Sequence, residues 1–126
     1  MKTMDLEAIG ALLELDHDTG GTLINDMIAS YRAEFPKRRA RMAEALAARD
    51  GKILAFEAHA TKSSFANFGS LKTAGIFQRI ESGAKTGDWT VVTTAYAEID
   101  TAVVLFELDL IELEKQAADR NKDQAS

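Results

Sequence analysis

The sequence predicts an all-α protein, an antiparallel up-down four-helix bundle with a short capping helix at its N-terminus. Apolar residues recur at alternating steps of three and four over several long segments, as on one face of a helix. No segment shows the sustained period of two that a strand requires, and Pro36 is the single proline. Short glycine- or aspartate-containing links separate the long segments, so successive helices are expected to run antiparallel.

The first predicted helix covers roughly residues 5–15 and ends at a polar, glycine-containing turn over residues 16–21. A long helix follows from about Thr22 to Arg49. Its apolar stripe slips just after Pro36, which predicts a kink or a break into two helices at that point.

The third helix contains His59 and is expected to run to Phe68, with Gly69 just past its end and Ser70 as the cap of the next helix. That fourth helix covers about residues 71–85. A single last helix is predicted to hold its apolar period from Val92 to Leu113. The chain turns polar after residue 116, so we expect a bundle domain over residues 1–117 and a frayed tail over 118–126.

The composition excludes several classes of function. A chain of 126 residues fits one domain, and the absence of cysteine excludes disulfides, thiolate metal sites and thiol catalysis. The net charge of −5 argues against nucleic-acid binding. No targeting segment or membrane span is evident, so we expect a soluble cytoplasmic protein. A free-standing protein and an excised domain both fit the sequence.

His59 is the main candidate for chemistry. Its helix carries a core stripe of Leu54, Ala58, Thr61, Phe65 and Phe68. His59 lies about 140° around the helix from the middle of that stripe, so it should point to solvent. Lys62 lies one turn further on, where its ammonium can reach a group bound to the imidazole. This pattern indicates a nucleophile that accepts an anion from a large partner.

A docking surface is expected around this histidine. Phe56 lies about 160° from the core stripe, so it should be exposed, with burial beneath the first helix as an equal alternative. We expect a shallow apolar patch, called the His59 patch below, formed by Ala55, Phe56, Ser63 and Ala66. Gln78 and Lys52 are candidates for its rim.

The run His59-x-x-Lys62-Ser63-Ser64-x-Ala66-Asn67-x-Gly69, followed by Ile76, Phe77, Ile80 and Glu81, resembles the signature of histidine-containing phosphotransfer (HPt) domains. The resemblance covers most of the chain. Ser63 stands where the family usually has glycine, which narrows the approach of a partner without removing the nucleophile or the lysine.

The resemblance implies a four-helix bundle that relays phosphoryl groups between aspartates of receiver domains in a multistep two-component phosphorelay. It implies His59 as phosphoacceptor, Lys62 as phosphoryl-stabilising residue, and structural roles for Ser64, Asn67 and Gly69. A hydroxyl of Ser63 or Ser64 is an additional donor candidate. Partners would be response-regulator receiver domains and a hybrid histidine kinase, Mg²⁺ would belong to the receiver, and the protein would be a carrier without turnover of its own. We expect a monomer, because no long exposed apolar face is evident beyond the His59 patch.

Other interpretations remain open. A non-transferring bundle that sequesters a receiver domain or kinase is the main alternative, against which the intact His59 and Lys62 argue. A plain helical scaffold or metal binder is less compatible, because the two histidines are far apart in the sequence. The basic residues around Pro36 are expected to form a solvated face.

Overall fold

A computed structural model describes residues 1–125 of the chain, with side chains to residue 122. This part of the chain is all helical, which confirms the predicted fold class. Its six helices are α1 (Leu6–Asp18), α2 (Leu23–Ala47), α3 (Gly51–Asn67), α4 (Leu71–Thr86), α5 (Trp89–Tyr96) and α6 (Ile99–Ala125).

Four arms form the bundle: α2, α3, α4, and the α5–α6 pair. Links of two or three residues join the arms, and they leave room only for antiparallel neighbours. Contacts run from α2 to α3, from α3 to α4, and from α6 back to both α2 and α4, so α3 and α6 lie diagonally across the bundle. Helix α1 packs along α6 and α2 as the expected capping helix.

Aspartate caps begin three of the helices. The carboxylates of Asp5, Asp50 and Asp88 accept hydrogen bonds from the amides of Glu7, Ile53 and Val91. Each cap satisfies an amide that lacks a partner within its helix, a contribution of about 1 kcal/mol. An aspartate before the first helix and one in each of two links therefore mark these helix starts.

The core is centred on packed aromatic rings. Phe65 of α3 and Phe77 of α4 stack in parallel with ring centroids 5.3 Å apart. Phe106 of α6 meets Phe65 edge-on at 4.7 Å, and Tyr31 of α2 meets Phe106 at 5.0 Å. All four arms thus contribute to one interior, and the stacked pair fixes the spacing of α3 and α4.

The predicted break near Pro36 is wrong, because α2 is one continuous helix of 25 residues. Proline cannot donate a hydrogen bond to the carbonyl of Arg32, four residues earlier. Both residues lie on the exposed side of α2, where water can satisfy that carbonyl. The slip of the apolar stripe therefore does not mark a helix end.

Basic residues on either side of Pro36 do not form a merely solvated face. Arg38 and Arg41 both bind the carboxylate of Glu57 on α3, at 3.2 Å and 3.0 Å, and the Glu57 side chain is only 7% exposed. Arg32 binds Glu107 and Glu114 of α6 at 3.2 Å and 3.0 Å. These pairs tie α2 to both of its neighbours in the bundle.

The predicted single last helix is divided into α5 and α6 by a tight turn at Ala97 and Glu98. The amide of Glu98 donates to the carbonyl of Ala95, a spacing of three residues that tightens the chain. The core residues Val92 and Ile99 lie seven positions apart, one on each side of this turn, as they would in one continuous helix. The apolar period therefore gives no sign of the turn.

Helix α6 also continues where a frayed tail was expected. It reaches Ala125, with Ala117 buried. The side-chain amide of Asn121 donates to Asp16 at 3.1 Å and to the carbonyl of Gly21 at 3.4 Å. These contacts with the end of α1 hold the polar part of α6, and Ser126 lies outside the described residues.

The junction of α2 and α3 packs on the start of α5. Arg49 has a positive φ of 52° just past the end of α2, and its guanidinium lies 5.0 Å from the ring centroid of Trp89. This cation–π contact offsets part of the cost of the left-handed backbone.

Candidate functional site

His59 lies in the middle of α3 with its side chain 61% exposed, as predicted. Its Nδ1 atom is 3.1 Å and 3.2 Å from the two carboxylate oxygens of Glu81 on α4. A carboxylate at this distance accepts the Nδ1 proton, so in the neutral ring the lone pair lies on Nε2. The nitrogen that carries the free lone pair is therefore the one that points away from the carboxylate.

Glu81 is the electrostatic centre of the site. Its side chain is only 7% exposed, and it also binds the ammonium groups of Lys62 at 3.0 Å and Lys85 at 2.8 Å. Burial alone would raise the pKa of Glu81, but hydrogen bonds from Lys85, Lys62 and His59 outweigh it and lower the pKa to about 2. Glu81 therefore stays ionised at neutral pH and holds three donors together.

Lys62 stands beside the imidazole because both contact Oε1 of Glu81. Its ammonium also donates to the side-chain oxygen of Gln78 at 2.7 Å. The structure thus brings the predicted lysine to the histidine. It also gives Gln78, a candidate for the patch rim, a place in the same network.

Most of the His59 patch is at the surface. Phe56 is 69% exposed and is not covered by α1, and Ser63 and Ala66 are exposed as well. Ala55 differs from the expectation, because it is only 6% exposed and lies beneath the surface where α3 packs on α4. A shallow groove beside the histidine is lined by residues that include Lys52, Phe56, Ala84 and Lys85.

The serines of the motif are directed elsewhere. The Ser63 hydroxyl donates to the backbone carbonyl of His59 at 3.2 Å, so it is engaged within α3. Ser64 and Asn67 line a separate groove between α3 and α2. The structure therefore does not bring Ser64 or Asn67 to the imidazole.

Gly69 ends α3 in the way its place in the motif indicates. It has a φ of 72°, and the amide of Ser70 donates to the carbonyl of Phe65 in a Schellman motif. A Cβ at this position would lie 2.3 Å from the Cβ of Ala8, because α1 crosses here. Only glycine fits both the backbone conformation and this close approach.

Sequence reasoning assigned no role to Glu81 or Lys85. Glu81 was noted only as part of the motif, although it directly follows the core residue Ile80. The pair Glu81–Lys85, spaced by four on one helix, was the available signal. Its link to His59 depends on how α3 packs against α4, which the spacing within one helix cannot show.

Two further findings concern metal ions and membranes. Within residues 1–122, no three His, Asp or Glu side chains are close enough to hold a metal ion. No helix in the described part of the chain is both long enough and apolar enough to cross a membrane.

The fold and the site define a class: a helical bundle with an exposed histidine in the middle of one helix, held by a buried carboxylate of the next. A family model described as Hpt domain matches residues 26–120, and the chain belongs to this family. No curated protein and no solved structure matches the chain at a significant level. Hpt domains interact with receiver domains and kinases in phosphorelays, so phosphotransfer in two-component signalling is the class of function.

Proposed function

We propose that this protein carries a phosphoryl group on His59 and passes it between aspartates of receiver domains. The observation that carries the proposal is the contact between Nδ1 of His59 and the buried, ionised Glu81, because it leaves Nε2 exposed as the nucleophile. The family supports the class of reaction, and the geometry supports this residue as its site.

In the first step, the Nε2 lone pair attacks the phosphorus of a receiver's aspartyl phosphate. The P–N bond forms as the bond from phosphorus to the aspartate oxygen breaks, and the aspartate leaves as a carboxylate. The ring retains its Nδ1 proton and becomes cationic, and the carboxylate of Glu81 stabilises that charge. In the second step, an aspartate of another receiver attacks phosphorus, and the neutral imidazole leaves.

Lys62 supplies positive charge beside the transferred group. Phosphoryl transfer has a loose transition state, so positioning and charge neutralisation account for most of the catalysis. Glu81 already binds Lys62, Lys85 and His59, and this chain therefore offers no free acidic cage for a cation at the site. We assign Mg²⁺ to the acidic pocket of the receiver.

The proposal includes response-regulator receivers and a hybrid histidine kinase as partners, and the exposed part of the His59 patch as their docking surface. It also includes a monomeric state, a cytoplasmic location and no turnover in the absence of a partner. Phe56 provides an apolar anchor next to the nucleophile, as in a modest transient interface.

The test is transfer of radiolabelled phosphoryl groups from a panel of phosphorylated receiver domains to the wild type, His59→Gln and the matched control His17→Gln. Acid-labile, base-stable label is expected on the wild type and His17→Gln, with none on His59→Gln. Label that persists on His59→Gln would refute the assignment of the site.

Binding of the same receivers is measured in parallel. Receivers that bind the wild type tightly but transfer no label would refute the relay. That result would support the alternative, a module that sequesters a receiver domain or kinase.

A further inference from the structure

The two helices that carry His59 and Glu81 differ in charge from the rest of the chain. Helices α3 and α4 contain five of the 15 lysine and arginine residues but only two of the 20 acidic residues. Those two, Glu57 and Glu81, are buried and engaged in ion pairs. The exposed charges of α3 and α4 are therefore all positive, on a protein whose net charge is −5.

Two of these cations flank the groove beside the histidine. This groove is called the lysine groove below, and the residues that line it include Lys52, Phe56, His59, Ala84 and Lys85. Its exposed charged side chains are Lys52 and Lys85. In the adjoining links, Asp50 and Asp88 accept hydrogen bonds from helix amides and do not line the groove. The rim of the groove is therefore cationic.

Both rim lysines have hydrogen-bond donors available for a partner. The Lys85 side chain is 62% exposed, and its ammonium gives one of its three N–H groups to Glu81. Lys52 is exposed and forms no ion pair within the described residues. Lys62 differs, because its side chain is only 25% exposed and binds both Glu81 and Gln78. Lys62 therefore belongs to the histidine, whereas Lys52 and Lys85 face whatever docks beside it.

The order of residues along α3 brings a docked partner close to these charges. Lys52, Phe56 and His59 follow one another at steps of four and three, so they lie on one face of the helix. Lys52 is about 10 Å from His59 along the helix axis. This separation is comparable with the distance of about 8 Å over which physiological salt screens a charge. A protein that reaches His59 and covers Phe56 therefore comes within the electrostatic range of Lys52.

Exposed apolar residues also occur on another face of the molecule. Val104, Leu108 and Ile111 of α6 are exposed, which differs from the expectation that no long exposed apolar face exists beyond the His59 patch. Nothing in the structure shows what covers those three residues. The charges beside Phe56, in contrast, indicate the chemistry of a partner for the lysine groove.

We propose that Lys52 and Lys85 select receiver domains by charge. The receiver that docks on the lysine groove carries carboxylates opposite these two lysines and an apolar side chain against Phe56. This inference rests on the proposed function for the class of partner and adds which members of that class fit. A receiver with basic residues at the same place is disfavoured, because like charges would be brought together at the interface.

The rest of the chain strengthens this selection. It holds most of the acidic residues, so an acidic receiver is repelled by the other faces and attracted by α3 and α4. Such an asymmetric charge distribution orients a partner before contact and raises the association rate, most strongly at low ionic strength.

The test uses a panel of fluorescein-labelled receiver domains, half with carboxylates and half with lysine or arginine on the surface around the phosphorylated aspartate. Stopped-flow fluorescence follows their association with the wild type, Lys52→Glu, Lys85→Gln and the matched control Lys115→Glu. Lys115 is exposed on α6, diagonally across the bundle from α3. Each pair is measured in about 50 mM and about 500 mM salt, where screening is weak and strong.

We expect acidic receivers to associate with the wild type and Lys115→Glu at equal rates in low salt. Association with Lys52→Glu should be slower by about fivefold and with Lys85→Gln by about twofold, since the first change reverses a charge and the second removes one. High salt should reduce these differences. Basic receivers should associate more slowly with the wild type than acidic receivers do.

Equal rates for Lys52→Glu and the wild type, or faster association of basic receivers with the wild type, would overturn the inference. Transfer of label to His59, measured on the same proteins, separates this result from a failure of the relay. Transfer without selection by charge would overturn the inference alone. Selection by charge without transfer would support the inference and refute the relay, and a panel that neither binds nor transfers would overturn both.

Discussion

Nδ1 of His59 lies 3.1 Å from Oε1 of Glu81, across the interface between α3 and α4. This contact fixes the orientation of the imidazole and directs its free nitrogen toward solvent. The orientation of the proposed nucleophile therefore depends on α4 as well as on α3, the helix that carries it.

Substitution of Glu81 by glutamine tests this dependence. Glutamine keeps the approximate shape but loses the negative charge that stabilises the cationic phosphoimidazole. We expect the rate of phosphoryl transfer from a receiver to fall by about tenfold or more. Rapid-quench measurement of labelled protein checks this, with the exposed Glu44→Gln as control. An unchanged rate in Glu81→Gln would show that the contact is only structural.

The same carboxylate makes stability depend on pH. Its pKa is lowered from 4.5 to about 2, so its contribution is complete above pH 4.5 and is lost as pH falls toward 2. The loss should amount to about 1–3 kcal/mol, given the exposure of Lys85. Urea unfolding at pH 7 and pH 3 measures it. Glu81→Gln should lose correspondingly less stability over this interval, and an equal loss would contradict the assignment.

Lys62→Ala removes the positive charge beside the imidazole. We expect transfer from a receiver to slow by about tenfold, because less charge is neutralised on the phosphoryl oxygens. The control is Lys72→Ala, which changes an exposed lysine of α4. This variant should transfer at the wild-type rate. Single-turnover kinetics compare the two, and equal slowing would indicate a general effect of net charge.

Phe56→Ala removes the exposed ring next to His59. Receiver binding should weaken by about tenfold, roughly 1.4 kcal/mol, if this ring anchors the interface. The free energy of unfolding should change by less than about 0.5 kcal/mol, since the ring is 69% exposed. Calorimetric titration measures the binding. Leu15→Ala, on α1 and 50% exposed, should bind normally, and comparable weakening there would contradict a localised patch.

Two glycine substitutions should act in opposite directions. Gly69→Ala places a methyl group 2.3 Å from Ala8 at a φ of 72°, so it should lower the free energy of unfolding by about 2 kcal/mol or more. Gly75→Ala on α4 meets open space and should raise it by about 0.5–1 kcal/mol. Denaturant unfolding gives both values. A stable Gly69→Ala would show that α1 can move away from the end of α3.

The sequence was sufficient for the bundle and for the placement of His59 and Lys62, but it left Phe56 open between exposure and burial beneath α1. The helical period in α3 directly determines which residues face the core, and the motif identifies the histidine. The end of α3 at Gly69 was also predictable, because glycine is favoured where φ is positive.

The remainder of the site required contacts between distant residues. Glu81 reaches His59 only because α3 and α4 pack with the stacked rings of Phe65 and Phe77 between them. The turn between α5 and α6 leaves the apolar period intact, so the pattern gives no sign of it. The side chain of Asn121 donates a hydrogen bond to Asp16, more than a hundred residues away in the sequence. Composition alone predicts a frayed tail at this position.

The packing of Arg49 on Trp89 has a practical consequence. Trp89 is the single tryptophan of the chain, and it lies where the start of α3 meets the end of α4. Its indole is an intrinsic fluorophore at the base of the two helices that carry His59 and Glu81. Its emission should therefore report, without any label, whether these helices remain packed while a partner binds near His59.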